Sequence, residues 1–383
     1  MRVIVIGAGI GGLTAAIALG RKGIEVEIYE RATALTDVGA GISLWPNALK
    51  ALYQLGMRPA LDALSFVSAE GALRTASGAV LTRTAAHEFV ARLGLPVMVF
   101  HRAELLNVLV AAARDIPIHR AHECHFVRQD AVRATVEFAN GARADADAVV
   151  GADGLRSIVR EGLGTPGALR YSGYTAWRGI AGFDTAGLLA GESVGRGQRF
   201  GLAPISGNRV YWYATDNVPE GQREPPDQAK ARLTAMFASW HDPIPALIRV
   251  TDHAAILRND IYDRDPADRW GWGRITLLGD AAHPMTPNLG QGACQAIEDA
   301  LVLARDLGQG GDVEASLRRY EAQRRPRTRL VSMASRRAGQ MFQIESPAVC
   351  RLRDMMLRLM PSAVTLRSLS TIGGYEGHLD PAM

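Results

Sequence analysis

Three acids, Glu30, Asp153 and Asp280, follow short runs of strand character, the last two within glycine turns. An acid so placed accepts hydrogen bonds from hydroxyls, and the glycines let backbone amides approach a ligand closely. The fullest case is Ile275-Thr276-Leu277-Leu278-Gly279-Asp280, then a loop stiffened by Pro284 and Pro287, then Gly290-Gln291-Gly292-Ala293. The spacing of Ala293, Ile297 and Leu301 predicts a helix, so Gly290 and Gly292 bare the amides at its start. A helix start carries partial positive charge and unpaired N–H groups. That suits the anionic edge of a reduced flavin ring. Taken alone, the stretch also reads as an ordinary strand, loop and helix of an α/β sheet.

The other end of the chain favours a dinucleotide. Arg2-Val3-Ile4-Val5-Ile6 is a β-branched run of the length of one buried parallel strand. Gly7-Ala8-Gly9-Ile10-Gly11-Gly12 follows, then a helix over Leu13–Arg21 and a strand over Glu25–Tyr29 closing in Glu30. G-x-G-x-x-G is weak alone and strong between a strand and a helix. Gly7 permits the tight turn, Gly9 lets the backbone reach a pyrophosphate, and Gly12 lets helix and strand pack closely. Glu30 suits the ribose hydroxyls of an adenosine and would repel a 2′-phosphate. The third acid lies in Gly151-Ala152-Asp153-Gly154, before a helix from Ser157 to Glu161. Asp153 either caps that helix or organises the phosphate loop from beneath.

The elements that must position these residues are legible in part. Gly39 to Asn47 reads as a loop with a short extended piece before a helix; Ser43 within it either touches a cofactor or packs. His101-Arg102-Ala103-Glu104 starts another helix, where a cation is disfavoured unless an anion shares the site; a solvated arginine is the alternative. Short strands follow over 116–118, 124–127, 133–138 and 148–150, with Asn140-Gly141 as a hairpin turn. The middle of the chain is aromatic-rich strand: 174–180, 199–204 and 209–215. Alternation puts Arg209, Tyr211 and Tyr213 on one face and Val210 and Trp212 on the other. The first face either floors an aromatic or anionic substrate pocket or lies half open to water. The expected fold class is α/β: a discontinuous Rossmann-like domain with a parallel sheet (1–70, 98–165 and 270–330), a mixed-sheet substrate domain (71–97 and 166–269) and a C-terminal helical segment (331–383). The arginine-rich helices over 316–358 would brace the two domains or form a subunit interface.

Composition excludes other classes. Hydrophobic content of 48% and charged content of 21% fit a globular protein with ample core. The pI near 9.1 reflects forty arginines against three lysines (Lys22, Lys50, Lys230), scattered along the chain rather than clustered as a nucleic-acid footprint. Cys124, Cys294 and Cys350 lack zinc or Cys-x-x-Cys spacing, which points to a reducing, cytoplasmic setting. No apolar run is long enough to span a membrane.

In their order along the chain, Gly7–Gly12 with Glu30, Gly151–Ser157, and Gly279-Asp280 with its loop and helix resemble the single-component FAD-dependent aromatic hydroxylases. That is the flavoprotein group of p-hydroxybenzoate, salicylate and urate hydroxylases and zeaxanthin epoxidase. The resemblance runs to about Arg329. It implies FAD, with NAD(P)H as a transient co-substrate and O2 as oxidant, and hydroxylation of a small aromatic or heteroaromatic compound through a flavin C4a-hydroperoxide. It places Gly7, Gly9, Gly11 and Gly12 against the pyrophosphate, Glu30 and Arg31 at the adenosine ribose, Ser43 and Arg102 along the ribityl phosphate, and Cys124 at adenine. It also places Asp153 in the turn shared by FAD and NAD(P)H, Asp280 on a ribityl hydroxyl, and Gly290, Gln291, Gly292 and Ala293 at the isoalloxazine. Arg199 and Tyr211 match substrate-side positions of urate hydroxylase. Asn288 stands where that enzyme carries an aspartate, and an amide serves neither as anion nor as base. A monomer or homodimer is expected. Epoxidation or inactivation of a larger natural product is the alternative on the same fold; a plain NAD-dependent dehydrogenase and a non-catalytic flavin-binding protein are the alternatives of another class.

Overall fold

A computed structural model describes residues 1–35, 40–64, 66–67, 70–165 and 167–380; Gly39, which opens the Gly39–Asn47 loop, lies outside them. The β-branched run Arg2–Ile6 is the centre of a parallel sheet ordered Ile275–Leu277, Ala148–Gly151, Arg2–Ile6, Glu25–Tyr29, Ile118–His119. Val3, Ile4 and Val5 are fully buried because both sheet faces are covered. Register fixes what matters for function. Ile6 lies opposite Gly151, and Gly151 opposite Leu277, so three strands end at one level. Their glycine turns therefore leave the same edge of the sheet, the carboxyl ends where ligands of such sheets sit.

The second sheet has seven strands, ordered Leu257–Asp263, Arg170–Gly182, Arg209–Asp216, Gln198–Ile205, Ala190–Val194, Glu70–Thr75, Val80–Ala85. All its pairings are antiparallel except Ala190–Val194 with Glu70–Thr75. Alternation splits its faces as the sequence reading expects. Trp177, Phe200, Val210 and Trp212 join Leu233, Phe237 and Leu247 in a buried cluster under the helices Pro226–Met236 and Ile244–Val250. Arg178, Arg199, Tyr211 and Tyr213 take the other face and line a cleft.

A short ribbon and a long helix tie the sheets together. Gly41–Leu44 pairs with Met98–His101 in a two-stranded ribbon. The helix Val313–Phe342, about 45 Å long by its 30 residues, carries Tyr320, whose hydroxyl donates to the Leu277 carbonyl at 3.0 Å. Further along, its Ser335 hydroxyl donates to the Thr286 carbonyl at 2.6 Å, and its Arg336 pairs with Asp263 at 2.8 Å. This helix runs unbroken through 330–331, so no break in the elements marks a boundary there. Among the described residues no helix is long and apolar enough to cross a membrane.

Candidate active site

A cleft of about 880 Å³ opens between the carboxyl ends of the parallel strands and the aromatic face of the larger sheet. Gly9, Gly11, Ser43, Arg102, Asp280, Gly290, Gln291, Gly292 and Ala293 line one side. Arg178, Arg199, Tyr211, Tyr213 and Asn288 line the other. The volume lies at the upper end for small-molecule sites.

The four glycines of the first turn divide their work. Gly7 has φ +104°, and a Cβ there would meet the Ala152 carbonyl oxygen at 2.5 Å. A Cβ on Gly12 would lie 2.0 Å from the Gly7 oxygen. Both are buried inside the turn, where only glycine allows the backbones to come so close. Gly9 and Gly11 line the cleft, and Gly9 has open space where a side chain would stand. Gly9 also begins the helix Ile10–Arg21 with no side-chain cap and no acid in the first turn.

Glu30, Arg31, Cys124 and Asp153 lie outside the cleft lining. Glu30 accepts from the Ala8 amide at 2.7 Å and the Ala32 amide at 2.8 Å, so it shapes the turn it follows. Arg31 is exposed and Cys124 buried. Asp153 accepts from the Ser157 hydroxyl at 2.5 Å and the Ile158 and Val159 amides at 2.8 and 3.2 Å. Ser157 is the N-cap of the helix Ile158–Gly162, accepting from the Arg160 amide at 2.9 Å, and Asp153 supports that cap by taking the first two helix amides. Burial, followed by the charge of Asp153, pushes the Cys124 thiol up to about 12.

Asp280 is the only carboxylate among the described residues that line the cleft. Gly279, at φ +62°, turns it there. The side chain is open to the cleft yet deep in the molecule. Burial raises its pKa against the opposing charges of His283 and Arg102. The same turn is pinned from behind. Asp299 accepts from the Gly279 amide at 3.0 Å, from His283 Nε2 at 2.5 Å and from Arg324 Nε at 2.7 Å. Arg324 also pairs with Glu298 at 2.6 Å, and Arg327 with Glu298 at 3.2 Å. All of Glu298, Asp299 and Arg324 are fully buried. This network was missed at the level of sequence. Its one signal was adjacent acids, Glu298-Asp299, between the apolar residues Ile297 and Ala300 to Ala304.

The helix Gly292–Gly308 starts at the cleft. Gln291 precedes it without capping it, and no acid lies in its first turn. The Gln291 side chain turns inward instead, accepting from Asn47 and Gln295, each at 3.1 Å. Gly290 is left-handed at φ +60°, and a Cβ on it would approach the Ser43 hydroxyl to 2.7 Å. First-turn amides unclaimed by any side chain therefore line the cleft beside Asp280.

On the opposite side of the cleft Arg199 is 2% exposed and fully engaged. It donates to Asn288 Oδ1 at 2.7 Å and Gln343 Oε1 at 2.9 Å, and pairs with Glu192 at 3.2 Å. Asn288 is equally fixed: Oδ1 also accepts from Tyr174 at 3.2 Å, while Nδ2 donates to Thr286 at 2.9 Å and the Ser335 carbonyl at 3.0 Å. Tyr211 lies flat on Gly41, where a Cβ would meet the ring at 2.2 Å; Tyr213 lies likewise on Gly201 at 2.1 Å. Burial raises both phenol pKa values, so both stay protonated; for Tyr211 the charge of Arg178 opposes it.

The cleft thus fits FAD. It offers amides bared at Gly9–Gly11 and Gly290–Ala293, a carboxylate for hydroxyls and a flat aromatic wall. A profile of the FAD binding domain family matches residues 1–335, and the chain belongs to that family; taken with its monooxygenase and hydroxylase relatives, it is a flavoprotein that uses FAD, an FAD-dependent monooxygenase. It is 42% identical to the aurachin C monooxygenase/isomerase of Stigmatella aurantiaca over 94% of this chain and 95% of that one. It is 37% identical to the FAD-dependent urate hydroxylase of Klebsiella pneumoniae over 88% and 89% of the two chains. The structure of Klebsiella pneumoniae HpxO with FAD and uric acid superposes with a TM-score of 0.92 at 34% identity, covering 97% of this chain and 96% of that one.

Proposed function

We propose that this chain uses NAD(P)H and O2 to hydroxylate a small aromatic or heteroaromatic compound bound between the flavin site and the Tyr211–Tyr213 face. The observation that carries this reading is the convergence, in one cleft, of Asp280 and the uncapped Gly292 helix start with an aromatic, donor-rich sheet. When bound, FAD supplies the acceptance of hydride and the activation of O2 that side chains lack. The chain does the rest. Asp280 would accept from a ribityl hydroxyl, and the amides from Gly290 to Ala293 would hold negative charge at the ring's pyrimidine edge. Gly9 and Gly11 let the backbone approach the pyrophosphate. Ser43 and Arg102 face the same cavity and would complete the phosphate side.

The substrate side offers donors and no carboxylate. Arg178, Tyr211, Tyr213 and Asn259 line it, and Tyr211 stays protonated beside Arg178. Such a wall binds an electron-rich ring bearing an anionic or carbonyl oxygen and holds the proton of Tyr211 against it. Arg199 acts through Asn288 and Gln343 as a positioning residue. Asn288 cannot take a proton, so a base-assisted path through that position is closed to this chain. The urate hydroxylase and aurachin C monooxygenase relatives are consistent with a heteroaromatic substrate. A second reading, a larger substrate with an apolar substituent, is favoured by the apolar run Val97, Val99, Leu202, Leu257 and Met285 along the cavity.

The test is NADH and NADPH oxidation by the FAD-loaded enzyme over phenols, purines and quinolones, with and without an alkyl substituent, with product mass read for one added oxygen. Tyr211→Phe is expected to lower substrate-stimulated oxidation about tenfold or more, the scale of one hydrogen bond to a charged group, with flavin content unchanged. A Tyr211→Phe enzyme equal to the parent would remove Tyr211 from the substrate wall. No oxygenated product across the panel, despite bound FAD, would leave a flavin-binding protein without this activity.

A further inference from the structure

The helix Pro347–Leu359 carries two faces of opposite use. Its inner face is polar: Cys350 and Arg353 are buried, the thiol donating to the Ile344 carbonyl at 3.2 Å and Arg353 to the Gly195 carbonyl at 3.2 Å. Its outer face is apolar. Leu352, Met355, Met356 and Leu359 fall at i, i+3, i+4 and i+7, one stripe of a helix, and are 52, 52, 59 and 74% exposed. Val349, Met360 and Val364 extend the stripe at both ends, each 39% exposed or more. A soluble surface scatters such residues singly; a contiguous stripe marks an interaction site. Arg351 and Arg358, seven residues apart, flank the stripe along one side, and Arg367 is exposed on the next helix. Asp354 is the one carboxylate of the helix and is already paired with Arg353 at 2.9 Å.

We infer that this face lies on the surface of an anionic lipid bilayer, the stripe entering the headgroup boundary and Arg351, Arg358 and Arg367 meeting phosphates. An amphipathic helix with flexible Met and Leu on one face and arginines at its edge has the form of an interfacial helix. Charge decides between occupants. An antiparallel two-fold copy seated on the stripe would bring the arginines of both molecules to the same side, with no free carboxylate on the helix to meet them. Lipid phosphates supply that missing charge. The inference is independent of the substrate, because none of these residues lines the cleft.

The test is flotation of the FAD-loaded protein with phosphatidylcholine vesicles, with and without phosphatidylglycerol. Binding is expected to the phosphatidylglycerol vesicles and to weaken with salt. Arg351→Gln and Arg358→Gln should each lower the partition coefficient about fivefold. The double variant Leu352→Gln, Met356→Gln should lower it on the order of tenfold or more, with turnover of a soluble substrate unchanged. Absence of flotation, or equal flotation on both vesicles, overturns the proposal. So does a dimer in gel filtration that the Leu352→Gln, Met356→Gln variant converts to monomer without any vesicle binding, which would assign the stripe to a second copy.

Discussion

Asp280 shows how one residue carries opposite demands. Its burial raises the pKa, which means the ionised carboxylate costs stability when the cleft holds no ligand. A raised carboxylate pKa gives stability that is present at low pH and lost as pH rises through the folded value. Asp280→Asn is therefore expected to raise the melting temperature of the apoprotein at neutral pH, with the gain shrinking as pH falls toward the ordinary carboxylate range. The same substitution should weaken FAD binding about 10- to 100-fold, the scale of a hydrogen bond to a charged group, read as flavin retained through gel filtration. A variant that holds FAD like the parent would show that no ribityl hydroxyl meets Asp280. Asn288 is the complementary case. Its Nδ2 donates to the Ser335 carbonyl, so Asn288→Asp sets a carboxylate oxygen against a carbonyl oxygen while keeping the Arg199 contact. A loss of about 1–3 kcal/mol in unfolding free energy is expected, measured by urea denaturation of the holoenzyme.

At the scale of elements, the site depends on close approach between backbone and ring. Gly41 lies in the short ribbon and Tyr211 in the large sheet, and the ring of one covers the backbone of the other. Gly41→Ala would place a methyl group inside that ring. The ring must move, and overpacking of this kind costs about 1–3 kcal/mol. The expected outcome is a raised KM for substrate with FAD content retained; an unchanged KM would separate Tyr211 from the substrate. The alternation Arg209-Val210-Tyr211-Trp212-Tyr213 was readable as two faces, because a strand obeys a period of two whatever its neighbours. Which of the two faces met a cavity was not readable, because that depends on a ribbon more than a hundred residues earlier in the chain. The strands Glu70–Thr75 and Val80–Ala85 were not assigned from the sequence; Glu70–Thr75 pairs with the distant Ala190–Val194, and Val80–Ala85 joins the sheet only through Glu70–Thr75.

The whole molecule is held together beneath the cofactor site. His378 is fully buried, with Nε2 at 2.9 Å from the Asn47 carbonyl. Asn47 reaches on to Glu298 at 2.5 Å and to Gln291. Burial lowers the His378 pKa to about 4, against the pull of Glu298. A lowered histidine pKa gives stability present above the unfolded value of about 6.5 and lost as pH falls through the folded one. Between about pH 6.5 and pH 4 this one group should remove on the order of 3 kcal/mol. That window lies above the one in which Glu298 and Asp299 are protonated: burial acts to raise their pKa values, but Arg324 for Glu298 and His283 with Arg324 for Asp299 hold both below the ordinary range. His378→Gln keeps a donor for Asn47 without the titration. Its urea midpoint should change less than the parent's between about pH 7 and pH 5; equal slopes would place the acid sensitivity elsewhere.

Local rules settled the parallel strand, the glycine turn, the helix starts and the lone acid Asp280, because each depends on residues within one turn or strand of itself. They also supported the family, whose motifs are local. Tertiary structure alone decided what those pieces face. It showed that Glu30 and Asp153 also accept from backbone amides of the turns beside them, a second use of each carboxylate that no local pattern announces. It buried Arg324 against Glu298 and Asp299 behind the Asp280 turn, and it left the apolar stripe of Leu352, Met355, Met356 and Leu359 facing outward. The physical reason is that hydrogen-bond capacity and burial are properties of a residue's surroundings, and those surroundings come from segments that the chain brings together only on folding.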